Sequence, residues 1–513
     1  MEFIKKFLFH RITFLTIAIL LQLLVLIGVI LKFNDYFVLF YGGSILVSII
    51  AVLGIINNQM NPIYKLAWII PILLFPIFGG LFYIFFGGKK LGKRAKNKMT
   101  SIRDEIKNTI PPQESILEEI EAEDKIAANQ SRYIQDYAYF PPHRNTVTEY
   151  LSTGEMKFER LKEELKGAKE YIFLEYFIIE EGEMWDSILE ILVEKAANGV
   201  DVRVIYDDVG CLFTLPYKYD EKLEKMGIKC AVFNPLTPIL SPKINNRDHR
   251  KIAIIDGHTA FTGGINLADE YINRIEKYGH WKDSAIMLKG EAVWSMTVMF
   301  LSMWDYLRGI EENLKEFKYD ESLLQINCKD EDGYIQPFAD SPLDDETVGE
   351  ITYLNLINKA KKYVYITTPY LIIDHEMVTA LSSAAKGGVD IRIITPHYAD
   401  KWYVHAVTRS YYKILIESGV RIYEYLPGFI HSKNYIADDE YGVVGTINMD
   451  YRSLYLHFEC GVWMYKCSSV IDMKNDFFDT LKVCKEITIE DFEDTEWYRS
   501  LGRSVLRVFA PLM

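Results

Sequence analysis

Two histidines in this 513-residue chain stand in the same phrase. His249-Arg-Lys251 is followed after four residues by Asp256, and after six more by Gly263-Gly264-Ile-Asn266. His431-Ser-Lys433, Asp438 and Gly445-Thr-Ile-Asn448 repeat it with identical spacing, 182 positions further on. One such phrase is weak evidence of anything. Two in register point to a single phosphate-cleaving site assembled from two half-sites. An imidazole can attack phosphorus, and a second one can give a proton to the departing alkoxide. The ammonium groups of Lys251 and Lys433 and the amides of Asn266 and Asn448 can hold the charge on the non-bridging oxygens. That chemistry needs no metal and no cofactor, and either histidine could attack first.

A histidine and a lysine two apart project from one face of a strand, and Lys251-Ile-Ala-Ile-Ile255 reads as a strand running into the turn Asp256-Gly257. Asp256 and Asp438 are therefore expected at the strand end, pointing away from a bound phosphate and tying down the turn. Compact residues before each asparagine let backbone approach an anion. Each imidazole needs a carboxylate to fix its tautomer. Asp283 and Glu459 are the candidates, 34 and 28 residues after the motif histidine of their own half. His280 and His457 read as packing or supporting residues.

The repeat extends to the elements that must position these groups. Gly199-Val-Asp-Val-Arg-Val-Ile205 recurs as Gly388-Val-Asp-Ile-Arg-Ile-Ile394, and Tyr171-Ile-Phe-Leu174 as Tyr363-Val-Tyr-Ile366. Helix-like stretches over 185–197 and 377–386 lie between, and 221–227 and 413–419 end at a glycine before a new strand. Alternation of this kind predicts two tandem α/β/α units with a largely parallel sheet. The first copy carries about ten extra residues between Pro235 and His249, which predicts a loop peculiar to that half.

Charge separates the chain in two. Residues 1–100 hold 11 Lys+Arg against 2 Asp+Glu, and the remainder 46 against 69, a balance of −23. A nucleic-acid enzyme needs a basic footprint, so a nucleic-acid partner is disfavoured. Six scattered cysteines without metal-ligand spacing read as reduced thiols.

Thr13 to Leu31 and Tyr36 to Ile56 are apolar runs long enough to cross a bilayer, and Leu66 to Gly87 is a third, broken by Pro71, Pro76, Gly79 and Gly80. Basic residues at 89–98 place the catalytic part on the cytoplasmic side. Lys5, Lys6 and Arg11 then require the third run to be re-entrant or interfacial. Residues 94–138 read as a charged, solvated helical connector. The tail from Trp497 to Phe509 is amphipathic, either an interfacial helix or one docked on the second unit.

On these phrases the chain resembles the phospholipase D superfamily, and more narrowly its bacterial cardiolipin synthases. Phe261-Thr-Gly-Gly-Ile-Asn-Leu-Ala-Asp-Glu-Tyr271 and the segment from Leu66 to Gly87 carry the resemblance beyond the motifs, while the apolar run within residues 1–35 is additional to the two-span form of the family. The resemblance implies a multi-pass cell-membrane protein with residues 1–90 membrane-embedded, 91–140 a helical linker, and phospholipase D-like domains over 141–335 and 336–513 sharing one active site. It implies phosphatidyl transfer between two phosphatidylglycerols to give cardiolipin and glycerol, with His249 as nucleophile, His431 as general acid and base, and Asp256 and Asp438 counted with the site. Anionic membrane lipid is the implied partner, and a homo-oligomer is allowed. A hydrolase of the same site, releasing phosphatidic acid, is the alternative.

Overall fold

A computed structural model of the chain describes residues 37–58, 61–75, 93–236, 245–320, 333–344 and 346–493, with isolated positions within 20–32, 79–83 and 502–510. The first half contributes strands β1 (Thr146–Leu151), β2 (Tyr171–Tyr176), β3 (Asp201–Asp207), β4 (Lys229–Phe233), β5 (Arg247–Asp248), β6 (Lys251–Ile255), β7 (Thr259–Gly263), β8 (His280–Lys282) and β9 (Ala285–Gly290). The second contributes β10 (Tyr334–Asp340), β11 (Tyr363–Thr367), β12 (Leu371–Ile372), β13 (Asp390–Pro396), β14 (Arg421–Tyr425), β15 (Gly428–Ile430), β16 (Asn434–Ala437), β17 (Tyr441–Gly445), β18 (Met449–Asp450), β19 (His457–Tyr465) and β20 (Cys484–Ile487). The sheet orders match over seven strands, β1-β9-β7-β6-β2-β3-β4 against β10-β19-β17-β16-β11-β13-β14, and the second sheet adds β20 at its edge.

The sheets are mixed, which corrects the expectation of largely parallel ones. β2, β3 and β4 run parallel, as do β11, β13 and β14, while β6, β7, β9 and β1 and their counterparts pair antiparallel. Helical crossovers force the parallel pairs, and the tight turns after the motif lysines force hairpins. The expected boundary at 335/336 falls inside β10.

Helices cover the sheets. Near the N-terminus lie α1 (Phe37–Ile56), α2 (Pro62–Leu74), α3 (Lys93–Thr109), α4 (Glu114–Glu123) and α5 (Lys125–Tyr133). The first half adds α6 (Gly154–Gly167), α7 (Glu183–Ala197), α8 (Tyr219–Lys225) and α9 (Val293–Arg308). The second adds α10 (Val348–Lys359), α11 (His375–Lys386), α12 (Trp402–Ile416), α13 (Tyr451–Tyr455), α14 (Ser468–Leu481) and α15 (Glu490–Glu493). Local chemistry starts them: Thr153 Oγ1 accepts from Met156 N–H at 3.2 Å, Asp374 from Met377 N–H at 2.9 Å, and Asp450 from the N–H groups of Arg452 and Ser453.

One apolar core runs from Phe173 and Ile254 in the first half through α9 to Ile366, Val443 and Trp463 in the second, so the halves share an interior. The segment read as a solvated connector is part of it. Leu117, Ile120, Ala127 and Ala128 are buried, Ser131 Oγ donates to Gln336 at 2.7 Å, and Trp463 Nε1 donates to Gln130 at 3.2 Å. Its charges occupy the outer faces of α4 and α5 and hide a narrow apolar stripe.

α1 and α2 pack through Ala51, Ile55, Tyr64, Trp68 and Ile72 and leave Leu46, Ile49, Ile50, Leu53, Leu66 and Leu73 exposed. Among the described residues no helix is long and apolar enough to cross a membrane. α1 has 20 residues and no charge in its sequence, but the side chains of its first four positions are not described. Most of the Thr13–Leu31 run, the side chains of the basic collar and residues 494–501 lie outside the described residues. In the tail, Ala510 is buried and the Arg507 guanidinium sits 4.8 Å from the centre of the Tyr411 ring on α12, the docked arrangement.

Candidate active site

Lys251 opens β6 and Lys433 immediately precedes β16, and each strand turns at its aspartate. Asp256 accepts from the N–H groups of Lys169, Glu170 and Tyr171, at 2.7, 2.8 and 2.9 Å. Asp438 accepts from Lys361, Lys362 and Tyr363, at 2.6, 2.8 and 2.9 Å. Both clamp the start of the neighbouring strand at the end remote from the histidines, as the spacing predicts. They bear on the site only by fixing the hairpin.

The histidines are held by the opposite half. β5, just ahead of His249, pairs with the start of β19, and β15, just ahead of His431, pairs with β8. His249 N–H donates to Phe458 O at 2.9 Å, and His431 N–H to Lys282 O at 2.7 Å. The carboxylates follow the backbone across. His249 Nδ1 lies 2.9 and 3.0 Å from the Glu459 oxygens, and His431 Nδ1 lies 2.7 Å from Asp283 Oδ2. Asp283 and Glu459 are thus the partners expected from the sequence, but each serves the histidine of the other half. In each ring the carboxylate engages Nδ1 and leaves Nε2 to the other side.

Positive charge is crowded here. Lys251 Nζ donates to His249 O at 2.6 Å, and Lys433 Nζ makes the equivalent bond to His431 O. Burial, against the pull of Asp283 and Glu459, pushes Lys251 down to about 8 and Lys433 to about 7. Burial followed by Lys251, Lys433 and His431 holds His249 well below the usual imidazole range. Burial and Lys433 bring His431 to about 4, with Asp283 opposing. Asp283 is held low although burial works against it, because Lys433 and His431 more than offset that cost. An arrangement so depressed in proton affinity gains from an anion at its centre.

The asparagines differ. Asn266 is fixed at both ends, Oδ1 accepting from Ile178 N–H at 3.0 Å and Nδ2 donating to Tyr271 Oη at 2.6 Å. Asn448 Oδ1 is buried and has no hydrogen-bond partner among the described residues. So do the residues that back the carboxylates. A Cβ on Gly264 would stand 2.1 Å from Asp283 Oδ1, so only glycine fits. The matching Thr446 donates to Glu459 Oε2 at 2.5 Å, and Ser453 donates to Oε1 at 2.7 Å.

Sequence reasoning does not single out Ser453 or Lys157. Buried Lys157 donates to Tyr176 Oη at 2.9 Å and is pushed by burial to about 7, with Asp283 opposing. A lysine on an apolar face of α6 was the available signal. His457 is a neighbour of the site, its ring 5.6 Å from that of His249, whereas His280 is exposed and bonds Tyr425 Oη at 2.9 Å. His249, His457 and Glu459 hold three possible ligand atoms within 4.8 Å. They do not fit a cation well, since Arg452 Nε donates to His457 Nε2 at 3.3 Å and so favours a proton on Nδ1, the atom a metal would need.

A family model described as cardiolipin synthase, phospholipase D-like domain, matches residues 161–304 and 353–481, and a phospholipase D-nuclease N-terminal model matches residues 46–88. The chain is 35% identical over 477 residues to a cardiolipin synthase of Halalkalibacterium halodurans, covering 92% of this chain and 93% of that one. It is 33% identical over 507 residues to a cardiolipin synthase of Geobacillus thermodenitrificans, covering 96% and 98%. An uncharacterized protein of Streptococcus mutans is 44% identical over 465 residues, covering 90% and 99%. The crystal structure of phosphatidylserine synthase from Haemophilus influenzae Rd KW20 superposes with a TM-score of 0.55 at 17% identity, covering 75% of this chain and 97% of that one. The last likeness concerns the fold.

Proposed function

The chain belongs to the cardiolipin synthase family of phospholipase D-like enzymes, phospholipid transferases, and on that premise we propose that it joins two phosphatidylglycerols into cardiolipin and glycerol through a phosphohistidine. His249 Nε2 attacks the donor phosphorus. The bond from phosphorus to the glycerol oxygen breaks, and His431 gives its proton to that oxygen. His431 then takes the proton of an acceptor phosphatidylglycerol hydroxyl, whose oxygen attacks phosphorus as the P–N bond breaks. Lys251, Lys433 and Asn448 hold the non-bridging oxygens, and Asn266 positions the turn beside them.

The observation that carries this reading is the pair of crossed dyads, His249 with Glu459 and His431 with Asp283, each presenting one Nε2 to a site that holds both lysines. Asp283 supports the assignment of His431 as the acid, because its charge and hydrogen bond raise the proton affinity of that ring against burial. Substrate phosphate raises that of both histidines.

Membrane anchoring belongs to the same proposal. The uncharged α1 and the outward leucines and isoleucines of α1 and α2 suit a lipid environment. Residues 1–90 anchor the chain in the cell membrane, and the basic residues that follow keep the two catalytic units cytoplasmic. Labelling of a cysteine placed at residue 3 from outside the cell would overturn the re-entrant third run.

The deciding experiment incubates full-length protein in mixed micelles with phosphatidylglycerol as sole lipid and resolves the products by mass. Cardiolipin with equimolar glycerol is expected. Phosphatidic acid as the main product would make water the acceptor and the protein a hydrolase.

A further inference from the structure

The repeat supplies a mirror position for each residue around the histidines. By the offset of the motifs themselves, Arg247 stands where the second half has Phe429, and Arg452 where the first has Glu270. By the offset that relates Asp283 to Glu459, His457 stands where the first half has Trp281. The His249 side is therefore cationic and polar. The His431 side is aromatic, with the Trp281, Tyr271 and Phe429 rings 5.3, 5.8 and 6.0 Å from the imidazole.

Arg247, Arg452 and His457 form one cluster. Arg247 is the register partner of His457 in the β5–β19 pair, and Arg452 Nε reaches His457 Nε2 at 3.3 Å. The nearby carboxylates are shared among several donors: Arg247 pairs with Asp207 and also donates to Asn234 O, each at 3.4 Å. Asp207, 3.4 Å from Arg247, also accepts from the N–H groups of Val209, Gly210 and Asp248; Asp450 caps α13; Glu459 serves His249, Thr446 and Ser453. Burial first, and for Arg452 the field of Arg247 as well, holds both guanidinium groups below their usual proton affinity. Arg452 also lies within electrostatic reach of Tyr64 on α2, the helix proposed to face lipid.

We propose that Arg247 and Arg452 form a second phosphate subsite beside His249, which holds the phosphodiester of the acceptor phosphatidylglycerol. The inference rests on the transfer reaction proposed above. The two phosphates of the product are separated by one glycerol bridge, and the imidazole of the cluster, His457, has its ring centre 5.6 Å from that of His249. Water and free glycerol carry no phosphate and gain nothing from the two guanidinium groups. The subsite thus favours a lipid acceptor over both.

Full-length protein in phosphatidylglycerol micelles with isotopically labelled glycerol tests this through one ratio, cardiolipin formed against label exchanged into phosphatidylglycerol. Arg452→Gln and Arg247→Gln should each lower the ratio roughly tenfold, the effect of one lost charge-assisted hydrogen bond, and Arg452→Lys should restore part of it. Glu270→Gln, at the mirror position, should leave the ratio at its wild-type value. A wild-type ratio in both glutamine variants, measured on protein that still exchanges glycerol, overturns the subsite. If Arg452→Gln loses all turnover, Arg247→Gln and Arg452→Lys decide the matter. Inorganic phosphate should inhibit the wild type in competition with the acceptor; inhibition unaffected by either arginine would mark a separate anion site and overturn the assignment. Failure of the wild type to form cardiolipin would instead sink the transfer reaction itself.

Discussion

The half-sites of His249 and His431 share a scaffold and differ in what supports it. Strand, turn, clamping aspartate and cross-half backbone bond are the same in both. The carboxylates are not equivalent. Glu459 accepts from Thr446 and Ser453 hydroxyls as well as facing His249, while Asp283 has His431 and its neighbour's Ser284 N–H, with Gly264 pressed against it. Hydroxyl donors spread the charge of Glu459 and leave less of it to stabilise an imidazolium. A duplicated site can thus keep one geometry and still give its two imidazoles different surroundings, through atoms beyond the rings, as the proposed division of roles requires.

The severest break of this comparison is removal of an imidazole. His249→Ala and His431→Ala should each lower turnover by roughly 10³-fold or more, and His249→Ala should form no acid-labile phosphoenzyme from labelled lipid. A labelled adduct in that variant would exchange the two roles. Next come the carboxylates. Asp283→Asn should cost more than Glu459→Gln, both within roughly 10²- to 10⁴-fold, because Asp283 backs the histidine that must carry a proton. Equal losses in kcat would erase the asymmetry.

A pH profile sharpens the picture further. Lys433 and Lys251, near 7 and 8 in the empty site, must be protonated to attract the lipid phosphate, so kcat/KM should fall as pH rises through that interval. An unchanged kcat/KM up to pH 9 would show that the lysines do not titrate there. The smallest effect is expected of Thr446→Ala. It removes one hydroxyl from Glu459, a loss of about 1 kcal/mol, and should alter turnover roughly fivefold while raising the apparent proton affinity of His249.

Much of this was legible in the sequence. The doubled phrase pointed to both histidines, both lysines and the clamping position of Asp256 and Asp438 in the turns, although both histidines and Lys433 lie just ahead of β6 and β16 and not on a strand as expected. Asp283 and Glu459 were also visible, but not their crossing. That exchange depends on β5, β8 and β15, strands of two or three residues, too short to leave a periodic pattern. The connector was misjudged because its charges outnumber Ile110, Ile120, Ala127, Ala128 and Ile134, the few residues that seat its helices on a core already built. The sheets read as parallel because βα repeats are conspicuous, whereas hairpins such as β6–β7 are announced only by the Asp256-Gly257 turn.

The short strands that carry each histidine across to the other half also constrain traffic. Hinge opening between the halves would draw His249 from Phe458 and His431 from Lys282, and would separate both imidazoles from their carboxylates in one movement. On the two-step transfer proposed above, opening of this kind between the steps would dismantle the His431–Asp283 pair that serves as the base of the second. The same mechanism then requires one alcohol to replace the other while the two halves stay paired through β5–β19 and β15–β8.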